Sequence, residues 1–176
     1  LSDDPIITFG MAEIDFELGN LNQAIKEYAS LDNRLIYEQT GVSTYQRIGV
    51  SYASLGKFEV AIEFLEKALE IEYDDAVAFE LATILYDQKE YQKANLYFKQ
   101  IDTISPEFES YEYGYALSLH AEHQTEEALR LTQQGLSKNP FDTRLLLLAS
   151  QLSYELHDEQ KAEDYLLKAK DNAEDL

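Results

Sequence analysis

Five pairs of small residues recur along this chain at one internal spacing. Ala24, Ala61, Ala94, Ala128 and Ala162 lie 37, 33, 34 and 34 residues apart, and twelve residues before them stand Ala12, Gly49, Ala82, Ala116 and Ser150. Four residues after each alanine comes Tyr28, Leu65, Phe98, Thr132 or Leu166. Two helices of a hairpin approach closely only where a small residue on one meets a small residue on the other, so the spacing reads as five helical hairpins in series. A unit of this size cannot bury its apolar face alone, and stacking on its neighbours supplies the core.

Within the units the apolar residues follow the helical period. In the second, Tyr45, Ile48, Gly49 and Tyr52 form one face, and Ala61, Leu65 and Ala68, with Phe58 and Phe64 beside them, form its partner. Leu55-Gly56-Lys57 supplies the turn, Gly56 taking the conformation that ends a helix. Ser43 with Gln46 is a capping-box pattern. Asp4-Pro5 and Ser105-Pro106 each put a capping residue before a proline suited to a first helical position, and Asn20, Thr125 and Asp158 are candidate caps of second helices. No alternating strand pattern is visible. The expectation is an all-α chain of ten helices in one domain, residues 1–176, with units at 5–41, 42–74, 75–108, 109–142 and 143–176.

Thirty-four acidic and fourteen basic residues give a net charge of −20. Each repeat-length segment carries between −3 and −6, so the excess is an evenly spread exterior that repels nucleic-acid backbones and anionic membrane surfaces. Zero cysteines exclude disulfides, thiolate metal sites and cysteine nucleophiles, although they leave the compartment open. The longest apolar run, Leu145 to Ala149, is far short of a membrane span. Asp3, Asp4 and Pro5 interrupt any signal-like start, and a cytoplasmic location is expected.

These residues resemble the tetratricopeptide repeat, a family of helix–turn–helix units usually about 34 residues long. The second unit matches its pattern best, with Tyr45, Ile48-Gly49, Tyr52, Gly56, Ala61, Leu65 and Ala68, although Tyr73 stands where proline is usual. The third has Leu81-Ala82, Leu85, Ala94, Phe98, Ile101 and Pro106; the fourth has Tyr115-Ala116, Leu119, Ala128, Gly135 and Pro140, with Thr132 departing from the aromatic. The first and fifth are weaker. The resemblance implies a right-handed superhelix whose first helices line a concave groove that binds peptides or proteins.

First-helix positions one step round from the core stripe would line that groove. They are Phe9, Glu13 and Phe16 in the first unit; Gln46, Val50 and Ala53 in the second; Phe79, Thr83 and Tyr86 in the third; Tyr113, Leu117 and His120 in the fourth; and Leu147, Gln151 and Tyr154 in the fifth. Glu17, Asp87 and Glu155 follow along one margin. The lining is aromatic with few cations, and aromatics give large contact area at low entropy cost. The same side chains also serve packing between hairpins. Relatives that hold an acidic chaperone tail use a clamp of lysine, asparagine and arginine. Phe9, Glu13, Val50, Ala76 and Glu80 offer none, so the expected partner is a protein segment with apolar anchors and Lys or Arg.

No catalytic constellation stands out. His120 and His123 have a spacing that can place two ligands on one helix face, but alignment of the repeats puts His123 and His157 at the turn position of Gly56. Phosphate-binding glycine loops, nucleophile elbows and calcium-loop spacing are all missing, the last despite Asp74-Asp75 and the run from Asp171 to Asp175. Neither enzyme activity nor a cofactor or metal is expected. A secretion or assembly chaperone and a self-associating structural module of a larger protein are the alternatives to a binding scaffold. Ile6, Ile7 and Phe9 have no preceding hairpin to cover them, so either the array continues or its ends pair with another copy.

Overall fold

The computed structural model describes residues 4–174, and the outermost part of the fifth sequence unit therefore lies outside the described residues. Eleven helices are present among them: α1 (Pro5–Glu17), α2 (Leu21–Ala29), α3 (Asn33–Thr40), α4 (Thr44–Ser54), α5 (Phe58–Ile71), α6 (Asp75–Asp87), α7 (Tyr91–Ile104), α8 (Tyr111–Ala121), α9 (Thr125–Lys138), α10 (Thr143–Glu155) and α11 (Glu159–Glu174). There is no strand among the described residues. The helices fall into two compact units, Leu1–Ile84 and Leu85–Leu176, which divide within α6.

The helix beyond the expected ten is α3, which corrects the sequence reading. The stretch from Ala24 to Gly49 is three or four residues longer than its counterparts, and α2 stops after nine residues where α5, α7 and α9 run for fourteen. The Ser30 hydroxyl donates back to the Glu27 carbonyl at 2.7 Å, and Asp32 caps a new helix by accepting from the Leu35 N–H at 3.0 Å. Side-chain bonds of this sort compete with helix continuation. Asn33 at the start of α3 is buried, and its Oδ1 accepts from the Ser43 hydroxyl at 3.0 Å, the Thr44 hydroxyl at 3.1 Å and the Tyr45 N–H at 3.3 Å. One amide thus ties α3 to the first turn of α4.

The five turns that join the two helices of a hairpin have the same chemistry. Gly19, Gly56, Lys89, His123 and His157 take positive φ between 59° and 79°. Each donates its N–H to the carbonyl three residues back, and the next residue donates to the carbonyl five back, as in His123 to His120 at 2.9 Å and Gln124 to Leu119 at 2.9 Å. These paired bonds are Schellman motifs, which satisfy the orphan carbonyls at a helix end. His123 and His157 are exposed turn residues, as the repeat alignment indicates.

Asp4 caps α1 through the Ile6 N–H at 2.9 Å, Ser43 caps α4 through Gln46, and Asp158 accepts from the Lys161 N–H at 3.2 Å. Asn20 holds its N-cap place without a side-chain cap bond, while Thr125 is already helical and Gln124 stands at the cap. Ser105-Pro106 does not open a helix. Ser105 ends α7, residues 106–110 form the connection, and α8 begins at Tyr111 behind Ser110, whose φ is 67°. The small residues lie where close approach demands them. A Cβ on Gly49 would stand 2.7 Å from Leu65 Cγ, and Ser150 donates its hydroxyl to the Ala162 carbonyl at 2.7 Å.

Candidate binding face

The first helices carry the candidate positions at i, i+4 and i+7, so each triplet shares one helix face. In the unit up to Ile84, α1 supplies Phe9, Glu13 and Phe16. Phe9 is 9% exposed and its ring centroid lies 6.0 Å from that of Tyr28, so it belongs to the core with Ala12, Ala24, Ile36 and Ile48. Glu13 is half-buried and fully engaged. It accepts from the Tyr28 hydroxyl at 2.5 Å and from Arg47 through Nε at 2.9 Å and Nη2 at 2.8 Å. The Arg47 guanidinium also lies over the Phe16 ring, 5.1 Å from its centroid.

Arg47 on α4 is the residue that sequence reasoning missed here. It sits one turn before Val50, just off the stripe chosen for the lining. Burial and then the bond to Glu13 push the Tyr28 hydroxyl far above its usual range. Burial also raises the Glu80 carboxyl on α6, against the opposing pull of Arg47. The face of this unit is therefore a closed polar cluster, Tyr28–Glu13–Arg47, with Glu80 in the field of the same cation. Gln46 lies away from it, lining a small cavity with Tyr37, Ser43 and Ile71. Val50 and Phe79 are half-buried; Thr83 is exposed and its hydroxyl donates to the Phe79 carbonyl at 2.8 Å.

In the unit from Leu85 onward the face is more open. Tyr86 packs its ring 5.5 Å from Tyr91, and burial raises its hydroxyl pKa, with the neighbouring Tyr91, Asp87 and Tyr113 adding to the shift. Tyr113 on α8 lies under the Arg144 guanidinium of α10 at 5.2 Å, and Arg144 is paired with Asp142 at 2.9 Å. His120 Nε2 meets Glu155 Oε2 at 2.8 Å, and Gln151 donates to Glu155 Oε1 at 3.0 Å. Burial opposes ionisation of Glu155, but these bonds hold its pKa below the usual carboxylate value. The two α8-to-α10 contacts place Tyr113, Leu117 and His120 beside Leu147, Gln151 and Tyr154. Leu147 is 48% exposed and Tyr154 66%. Asp87 is also exposed.

Elsewhere, Lys138 forms an ion pair with the buried Glu112 at 2.6 Å and lies over the Tyr111 ring. Among the described residues, no three His, Asp or Glu side chains converge as a metal site would require, and no helix is long and apolar enough to cross a membrane.

Antiparallel hairpins of about 34 residues, closed by one recurrent turn and packed through small residues, define a helical-repeat protein. Residues 42–75 match the family model described as tetratricopeptide repeat. Over 169 residues the chain is 24% identical to the TPR repeat-containing protein YpiA of Bacillus subtilis (strain 168); the match covers 96% of the chain but only 40% of that relative's length. Among solved structures, MamA from Desulfovibrio magneticus RS-1 superposes with a TM-score of 0.85 at 14% identity, covering 99% of this chain and 97% of that one. YrrB, described as a TPR protein with an unusual peptide-binding site, superposes with a TM-score of 0.80 at 19% identity over 96% of this chain and 86% of that one. Residues 42–75 carry a tetratricopeptide repeat, and the chain shares the helical-hairpin fold of these tetratricopeptide-repeat structures.

Proposed function

We propose that the chain binds a protein or peptide segment on the first-helix face of α8 and α10. The fold is one that serves protein–protein interaction, and such repeats present extended surfaces built from their first helices. The observation that carries this reading is the exposed Leu147–Tyr154 pair on α10, with Gln151 between them on the same face and half-buried Tyr113 and Leu117 alongside on α8. Large apolar groups left open on the helix that carries the Glu155 carboxylate, with the exposed Asp87 carboxylate at the end of α6, suit a segment with apolar anchors and Lys or Arg. A peptide-binding site in the structurally similar YrrB supports the class of ligand but not its sequence.

Affinity capture with the chain as bait, followed by identification of the bound proteins, gives the candidate partner. Replacing Tyr113 and Tyr154 together with Ala is expected to weaken its capture at least tenfold. Unchanged capture by the double variant sinks the assignment to this face. A client that becomes soluble only on co-expression would instead favour the chaperone reading.

A further inference from the structure

We draw no further inference here: the strongest candidate, the cavity of about 300 Å³ that Glu107, Glu109, Glu112 and Asp142 line between the 106–110 connection and the start of α10, is a cluster of carboxylates whose one buried member, Glu112, already pairs with Lys138, and nothing in the structure points to a ligand for it.

Discussion

The first-helix faces of the two units use the same residue types and end in opposite conditions. In the first, Glu13 is taken up by Tyr28 and Arg47, and the cation that completes the cluster comes from the following first helix. In the second, Arg144 also reaches back from the following first helix, but it lies on Tyr113 and pairs with the N-cap Asp142, leaving Leu147 and Tyr154 open. A solenoid face therefore closes or opens according to what one arginine finds one helix back. Net charge and aromatic content do not distinguish the two cases.

The largest effect should come from the clamp found only in the first unit. Asn33→Leu removes the acceptor of three hydrogen bonds and is expected to cost about 3 kcal/mol in urea unfolding. Arg47→Ala strips the partner from a half-buried carboxylate and should cost about 2 kcal/mol, the partial exposure of both groups keeping it below the fully buried case. Loss of Arg47 with no change in the urea midpoint would break the comparison outright. A gain is expected in the turns. Lys89→Gly or His157→Gly relieves a side chain held at positive φ and should add about 0.5–1 kcal/mol, whereas Gly56→Ala should lose a similar amount. Leu147→Ala with Tyr154→Ala should shift stability by no more than about 0.5 kcal/mol, because open side chains contribute little to folding.

The smallest effect is a pH dependence. Burial raises the folded-state pKa of Glu80 above its unfolded value, so its contribution favours folding at low pH and is lost as pH rises through the folded pKa. Glu80→Gln is therefore expected to raise the melting temperature at about pH 7 and to lose that advantage toward about pH 5. A difference that does not change with pH would remove Glu80 from the account.

Much of the fold was legible because small residues and turns obey the repeat. Ala24 through Ala162 give the spacing, and the same spacing carries His123 and His157 to the turns. Helix α3 was not legible as a helix. Its trace in the sequence is the excess of three or four residues between Ala24 and Gly49, and its cause is a local contest at Ser30 and Asp32 that spacing cannot resolve. The Ser105-Pro106 expectation failed because a cap-and-proline pair reads equally well as a helix end followed by its connection. The stripe rule grouped the candidate face residues by helix but missed Arg47 and Arg144. Long side chains that reach a neighbouring helix from an adjacent stripe leave no periodic mark.

The five identical turns bear on how the chain reaches this structure. Each is a six-residue device whose two hydrogen bonds lie wholly within its own hairpin. Ordering such a unit requires only short loops, whose closure entropy is small. Refolding can thus begin in any hairpin and spread to its neighbours, so destabilising one turn should speed local unfolding there and leave hydrogen-exchange protection elsewhere largely intact.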